Sequence, residues 1–222
     1  MTIGTATVRA ATDAGIALED GRIVRLAGLD VPDGTQAAPP AGTALRLKRL
    51  AAAPETDRYG RLVAHVFISE NNTERWFQAE VVRRGQARVA RVDDAPCARA
   101  LLAQEQAARA AKLGLWADPV YVITKAEDPT EVLKQRGRFA LVEGTVLSVR
   151  ESGGTIYVNF GRRWSEDFTV TIAKRNERAF TAAGLEPKSL AGRRVRIRGW
   201  IEERGGPWVE AARPEQIEVV NN

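Results

Sequence analysis

Residues 24–33 read VRLAGLDVPD. The stretch begins as an apolar strand interrupted by Arg25, and it ends with Asp30 and Asp33 on either side of Val-Pro. Aspartate and proline favour turns, so the local pattern is typical of a strand that ends in a turn. One arginine and two carboxylates are also residues that a phosphate-cleaving site requires. The sequence around the stretch decides between these two interpretations.

The segments on both sides of this stretch alternate between apolar and polar residues, as half-buried strands do. The alternation predicts strands near residues 6–10, 16–18, 23–28, 43–50 and 62–68. Asp20-Gly21 is a strong hairpin signal between the second and third strands. Two helices are predicted at residues 74–84 and 95–113, each followed by a glycine that can end it.

A second strand pattern begins near residue 137 and continues to the C-terminus. Three strands, a short helix and two further strands follow one another, which is the order of an OB barrel; a small mixed sheet with a helix on one face is the alternative. Residues 126–136 are polar and contain a proline, so we expect a linker there. The expected domains are therefore residues 1–125 and 137–222.

Composition limits the class of protein. The 222 residues are 44% hydrophobic and 27% charged, which argues against disorder. No apolar run approaches the roughly 20 residues that span a bilayer, so we expect no membrane partner. The N-terminus lacks the features of a signal peptide. The compartment stays open: exported or periplasmic if a signal was removed, cytoplasmic otherwise.

Net charge and the numbers of cysteines and histidines limit which partners, disulfides and metal sites the chain can have. A formal charge of +5 and a pI near 9.7 favour polyanionic partners. Cys97 is the single cysteine, so an intrachain disulfide is excluded. With His65 as the single histidine, the chain also has too few ligands for a typical zinc site. We expect Cys97 to be a small packed residue and His65 to be a packed strand residue.

Five pieces of the first half together resemble the staphylococcal nuclease (thermonuclease) family. They are VRLAGLDVPD, DRYGRLVAHVF, WFQAEVVRRGQARV, LLAQEQAARAAKLGLW and ADPVY, and they cover most of residues 5–121 in the family's order. The resemblance implies an OB-fold β-barrel with helices packed on it. The expected fold class is mainly β with α (α+β): a barrel of the staphylococcal nuclease type followed by a second small OB-like barrel.

The resemblance also implies roles for residues of the opening stretch. Enzymes of the family cleave phosphodiesters with one calcium ion. Arg25 and Arg61 match the two arginines whose forked donors stabilise charge on the phosphoryl oxygens. Asp30 matches a metal-ligating aspartate, and Val31 would offer its backbone carbonyl to the metal. Asp33 lies where the family carries the glutamate that acts as, or assists, the general base.

Two departures weaken the implied site. The family's second metal-ligating aspartate corresponds to Ala14, within TDAGI (12–16). Asp33 is shorter than glutamate by one carbon–carbon bond, about 1.5 Å, and a misplacement of roughly 1 Å can cost about a hundredfold in rate. We therefore expect calcium to bind weakly, because affinity follows the charge and rigidity of the ligands. In addition, AAPPAG (37–42) cannot form the helix that the family carries between its third and fourth strands.

The second module has a strand in which basic and aromatic residues alternate with apolar ones. In RRVRIRGW (193–200), one face carries Arg194, Arg196, Arg198 and Trp200. Tyr157 lies on the polar face of another strand. Arginines that meet phosphates and rings that stack on bases suit single-stranded nucleic acid. The alternative is a solvated face whose arginines pair with acids such as Glu202 or Glu203.

The leading hypothesis is a two-module protein that binds nucleic acid or another phosphate polyanion, with weak or lost phosphodiesterase activity. One alternative is an active calcium-dependent nuclease in which Asp13, Asp33 or water replaces the missing ligand. A second alternative is a protein-interaction module. The arginine-rich strands favour the first hypothesis over the last, and the pattern of Arg25, Asp30 and Arg61 supports the enzyme alternative. The oligomeric state is left open.

Overall fold

The computed structural model describes residues 1–49, 54–70, 73–90, 94–121, 123–163 and 165–220. The chain forms two compact units, residues 1–119 and 120–222. Each unit has its own cluster of buried apolar side chains. Strands predominate over helices in both, which confirms the predicted mainly β class with α. Within the described ranges no helix is both long and apolar enough to cross a membrane.

The first unit is a β-barrel with two helices. Its strands are β1 Thr2–Thr12, β2 Gly15–Leu18, β3 Ile23–Leu26, β4 Leu29–Asp30, β5 Ala44–Lys48, β6 Leu62–Glu70, β7 Thr73–Trp76 and β8 Arg88–Val89, and its helices are α1 Phe77–Arg83 and α2 Ala95–Ala110. The main sheet has the order β3-β2-β1-β5-β6-β7. β3 also pairs in parallel with β6, and this pairing closes the five strands from β3 to β6 into a barrel, with β7 attached to β6.

The turn between β1 and β2 requires a glycine at position 15. Gly15 has a φ of 132°, and a Cβ built there would lie 2.3 Å from the carbonyl oxygen of Val24. β3 therefore passes too close to β2 for any side chain at this position. The predicted Asp20-Gly21 hairpin lies between β2 and β3, as the sequence pattern indicated.

The two helices meet at their C-terminal glycines. α1 begins at Phe77 and not at residue 74, because residues 74–76 extend β7 and pair with β6. Gly85 and Gly114 follow the two helices with φ of 68° and 52°, and a Cβ built on either would lie within 2.4 Å of the other segment's backbone. Glycine at both positions thus permits the backbone N–H of Leu115 to donate to the carbonyl of Gly85 at 2.8 Å.

Two buried polar side chains attach the helices to the barrel. Gln78, on α1, donates to the Ala64 carbonyl and accepts from the Val66 N–H of β6, at 2.8 and 3.0 Å. Glu105, on α2, has no exposed surface and accepts from the Val89 N–H of β8 at 2.6 Å. Because buried polar groups must be paired, these bonds fix each helix to one strand.

The second unit consists of the remaining elements. Its strands are β9 Thr124–Lys125, β10 Phe139–Thr145, β11 Ser148–Ser152, β12 Thr155–Asn159, β13 Thr169–Ala173, β14 Arg194–Trp200, β15 Glu202–Arg204, β16 Gly206–Glu210 and β17 Ile217–Val219, and its helices are α3 Pro129–Leu133 and α4 Glu177–Ala182.

These strands form two sheets, with the orders β17-β14-β10-β9 and β11-β12-β13-β16-β15, and the prediction of an OB barrel stays a prediction. β10 pairs antiparallel with β14, and β11, β12 and β13 form an antiparallel meander. β13 then pairs in parallel with β16, across the position of α4 in the sequence. Only residues 146–147 separate β10 from β11, so the chain passes directly from one sheet to the other.

The segment predicted as a linker belongs instead to the second unit. Residues 126–136 contain α3, which is capped by the Asp128 side chain accepting from the Glu131 N–H at 3.1 Å. Val132 and Ala126 are buried in the second core. The polar residues of the segment concealed these two apolar positions, which attach it to the second unit. The boundary between the units falls at residues 119 and 120.

We predict that Glu105→Ala destabilises the first unit. The substitution leaves the Val89 N–H buried without its acceptor and removes the partner of Arg109, so the free energy of unfolding should fall by about 1–3 kcal/mol. Urea denaturation of the full chain measures the change. The exposed Glu19→Ala should stay within about 0.5 kcal/mol of the parent; equal losses for the two variants would contradict the anchoring role of Glu105.

Candidate functional site

The parallel pairing of β3 and β6 brings the two predicted arginines to one face. Arg25 lies opposite Val63 in register, and it is exposed between the buried residues Val24 and Leu26. Arg61 precedes Val63 by two residues, so strand alternation directs it to the same face. With strands about 4.8 Å apart and a rise of about 3.3 Å per residue, the two Cα atoms are roughly 8 Å apart. That both guanidinium groups reach one phosphate stays a prediction.

Arg61 is held by the loop that precedes β6. Its Nε and Nη2 atoms each lie 2.7 Å from Oδ2 of Asp57, and its Nη1 donates to the carbonyl of Ala14 at 3.0 Å. The same carboxylate accepts from the backbone N–H groups of Tyr59 and Arg61 at 2.9 and 3.1 Å. The loop thus fixes the direction of Arg61 and connects it to the turn between β1 and β2.

The environment of Asp57 favours its ionised form. Burial raises the pKa of this carboxyl, but the hydrogen bond from the Arg61 side chain and those from the Tyr59 and Arg61 backbone outweigh burial and hold the pKa below its ordinary value. The loop therefore presents a fixed negative charge that orients Arg61.

Asp30, the predicted metal ligand, is engaged by an arginine that the sequence analysis did not identify. β4 and β8 pair antiparallel with Asp30 opposite Arg88. Nε and Nη2 of Arg88 donate to Oδ2 of Asp30 at 3.0 and 2.6 Å. No local pattern could reveal this pair, because its two-residue strands are separated by 58 positions.

Asp33 and Val31 occupy the turn that follows β4. The Thr35 N–H donates to the Pro32 carbonyl at 3.1 Å, and Asp33 is exposed on this turn. The Val31 side chain packs against the first core. The structure therefore places Arg25 opposite Val63, two residues after Arg61, and pairs Asp30 with Arg88. Convergence of Asp33 with the arginines in one cleft stays a prediction.

The donors at this site do not fit a tightly held calcium ion. Within the described ranges, no group of three or more acidic, histidine or cysteine side chains is placed to hold a metal. Asp30 is occupied by Arg88, and Ala14 contributes a carbonyl that is already the acceptor of Arg61. Asp13 is exposed on the turn beside Ala14. A hard divalent cation requires several free oxygen ligands, and this arrangement offers few.

Residues 24–118 match the family model described as staphylococcal nuclease homologue. The first unit carries a staphylococcal-nuclease-like domain. Its family indicates nucleic-acid binding and phosphodiester hydrolysis as the class of function. No curated protein matches the chain.

The matched range of the nuclease-like domain includes four predicted site residues and excludes a fifth position. Arg25, Asp30, Asp33 and Arg61 all lie inside residues 24–118. Ala14, the position where the family's second aspartate ligand was expected, lies before it. The match therefore covers the positions of the two arginines and does not extend to the position of the expected second aspartate.

His65 and Cys97 have packing roles in the nuclease-like domain. His65 is buried on β6 with its ring centroid 5.5 Å from that of Trp76, and burial lowers the pKa of the imidazole. Burial raises the pKa of the Cys97 thiol to about 11, with Asp94 contributing in the same direction. A thiol that stays protonated at neutral pH is a poor nucleophile. Neither residue has the geometry of a catalytic group.

In the second unit, the predicted basic face of β14 is neutralised. Glu143, on the adjacent β10, pairs with Arg194 at 2.8 Å and with Arg196, and Glu218, on β17, pairs with Arg196 at 2.8 Å. Arg198 is 2% exposed, and its Nη2 lies 3.8 Å from Glu218. Cross-strand acids, which a single-strand pattern cannot show, thus occupy the arginines that were predicted to meet phosphates.

The two aromatic residues of the predicted interface are separated. Trp200 is 58% exposed at the end of β14, whereas Tyr157 lies on β12 in the other sheet of the barrel. Tyr157 packs edge-on against Trp208, with ring centroids 6.1 Å apart. The five residues predicted to bind nucleic acid therefore do not form one surface.

We predict that Asp57 makes the stability of the nuclease-like domain depend on pH. Folding lowers the pKa of Asp57, so its contribution is fully present above its ordinary pKa of about 4 and is lost as the pH falls through the folded value. Asp57→Asn cannot ionise. The difference in melting temperature between parent and Asp57→Asn should therefore shrink between pH 6 and pH 3. A difference that stays constant would contradict the lowered pKa.

Proposed function

We propose that the nuclease-like domain binds the phosphodiester backbone of nucleic acid, single-stranded in particular, through Arg25 and Arg61, with weak or absent hydrolysis. The observation that supports the proposal is the register of β3 with β6, in which Arg25 lies opposite Val63, two residues after Arg61, inside the range that matches the family model. Arginine suits this role because its forked donors match phosphate oxygens.

The state of each arginine supports phosphate binding. Arg25 is exposed and, within the described part of the chain, makes no ion pair. The Arg61 guanidinium has five N–H donors. Its Nε and Nη2 each use one for Asp57, and its Nη1 uses one for the carbonyl of Ala14. The remaining donors can reach a phosphate while the guanidinium keeps its orientation. One free and one oriented arginine would bind an anion with little loss of side-chain entropy at Arg61.

The carboxylates support the proposal of weak hydrolysis. Asp30 is neutralised by Arg88, and Asp33 is exposed and shorter than glutamate. A general base must lie within hydrogen-bond reach of the attacking water, and Asp33 would have to bridge an additional 1.5 Å or so to do this. Binding requires neither carboxylate, so it can persist where hydrolysis is slow.

An active calcium-dependent nuclease is the second candidate. The presence of Arg25, Asp30 and Arg61 at positions that match the family's site favours it. Such an enzyme would have to release Asp30 from Arg88 when calcium binds, and would need water or Asp13 in place of the missing ligand. Both requirements make weak, millimolar calcium binding the expectation.

We predict that Arg25→Gln weakens binding of single-stranded DNA by the full chain and lowers the slope of log affinity against log salt by about 0.7. Fluorescence anisotropy in chelator measures binding, and release of a labelled fragment in calcium measures cleavage. Arg9→Gln is the matched control, because Arg9 is an exposed β1 arginine with no ion pair among the described residues. Equal affinities for the two variants would refute the role of Arg25, and rapid cleavage that chelator stops would establish the second candidate.

We predict that calcium binds no more tightly than about millimolar, the weak end of the protein range. Ala14→Asp should tighten binding, because it adds a carboxylate at the position of the missing ligand. Isothermal titration of the parent and Ala14→Asp with calcium chloride measures both constants. Thr12→Asp, at the end of β1 two residues before Ala14, is the charge-matched control. Micromolar affinity in the parent, or equal gains in the two variants, would contradict the assignment of position 14.

A further inference from the structure

The second unit has an open groove of about 770 Å³ on the side of its barrel that faces away from the core. The base of the groove is formed by side chains that the strand pairing places on one face of the sheet. Ser148, Asn159, Thr169 and Trp208 lie opposite one another across β11, β12, β13 and β16. Residues directly opposite share a face, and the alternate positions, Val158, Val170 and Val209 among them, fill the core. The groove is therefore a fixed product of the barrel's pairing.

Two aromatic rings form the centre of the groove. Tyr157 and Trp208 line it at an interplanar angle of 81°, so they present differently oriented faces. Nε1 of Trp208 is buried and, among the described residues, has no acceptor. Partly exposed rings on a rigid sheet are the arrangement on which unpaired bases stack.

Three arginines border these rings. Arg150 and Arg162 are exposed and form no ion pair within the described ranges. Arg204 lies over the Trp208 ring at 4.8 Å from its centroid, and it pairs at 2.9 Å with Glu202, where both side chains are half exposed. Such an exposed pair contributes little and can be exchanged for a phosphate. Among the described residues that line the groove none is acidic. Register places Glu202 on the same face, opposite Trp208, and Glu210 opposite Thr171.

A small amide completes the groove. Asn159 is 8% exposed, and its Nδ2 and Oδ1 make only long contacts, of 3.4 Å, with the hydroxyls of Ser148 and Thr169. An asparagine amide can donate and accept, so it can bond to the edge of a base. The groove therefore combines three kinds of side chain: arginines that can bind phosphates, aromatic rings that can stack on bases, and an amide that can bond to base edges.

We propose that this groove binds single-stranded nucleic acid, with bases on Tyr157 and Trp208 and phosphates on Arg150, Arg162 and Arg204. The site lies on the second unit and goes beyond the function proposed for the nuclease-like domain. A polyphosphate would use the arginines but leave the rings without a partner, and a duplex would keep its bases inaccessible to them. A single strand uses all of these residue types.

The test uses the full chain, a fluorescein-labelled oligodeoxythymidine and anisotropy in chelator. Tyr157→Leu and Trp208→Leu should each weaken binding about 5- to 150-fold, the loss expected for one stacked base, with the salt slope nearly unchanged. Arg150→Gln and Arg162→Gln should each lower the slope by about 0.7. Melting curves check that the ring variants fold; the two arginines are exposed, so their variants test the groove even if a ring variant unfolds.

Arg178→Gln is the matched control, because Arg178 is an exposed arginine of α4 outside the groove. It should bind like the parent. Groove variants that bind as Arg178→Gln does would overturn the proposal, as would a duplex or polyphosphate competing as well as the single strand.

A second measurement locates the contact independently of the nuclease-like domain. Photocrosslinking of a bromodeoxyuridine oligonucleotide, followed by mass spectrometry of peptides, should yield adducts in the peptides that contain Tyr157 or Trp208. The same adducts should form with Arg25→Gln, where contacts of the nuclease-like domain are weakened. Adducts confined to residues 1–119 would overturn the groove while leaving the proposed function of the first unit intact.

Discussion

The parallel pairing of β3 with β6 is the constraint on which the first unit depends. It closes the sheet, and it places Arg25 opposite the residue two positions after Arg61. The rest of the domain supports this pairing: Gly15 allows β3 to pass close to β2, and Gln78 fixes β6 to α1. The same backbone arrangement therefore builds the core and positions the candidate phosphate-binding groups.

The β14 strand and the groove of the second unit differ in how their arginines are paired, not in how many arginines they contain. The β14 strand has three arginines, yet Glu143 and Glu218 neutralise them across the sheet. The groove on β11 to β16 has the same number of arginines, of which Arg150 and Arg162 have no ion pair among the described residues. An arginine-rich strand is thus weak evidence for a binding surface until its neighbours are known, because adjacent strands supply the acids.

Much of the fold could be predicted from local pattern, since alternation and glycine punctuation mark the β1–β6 strands and the ends of α1 and α2. The pairing of Asp30 with Arg88 could not, because it joins two short strands with no periodic signal. The segment at 126–136 was misinterpreted for a related reason: its attachment depends on two buried residues, Ala126 and Val132, which are too few to give a periodic signal. Tyr157 was identified as a candidate from its strand position, but its partner Trp208 required the β13–β16 register.

The ion pair between Arg88 and Asp30 determines how the charge of this carboxylate is compensated. A half-buried carboxylate normally relies on solvent cations or a bound ion to offset its charge. Here the chain supplies its own counterion, opposite in register and in two-pronged geometry. The negative charge of Asp30 is therefore offset within the chain wherever β4 and β8 are paired.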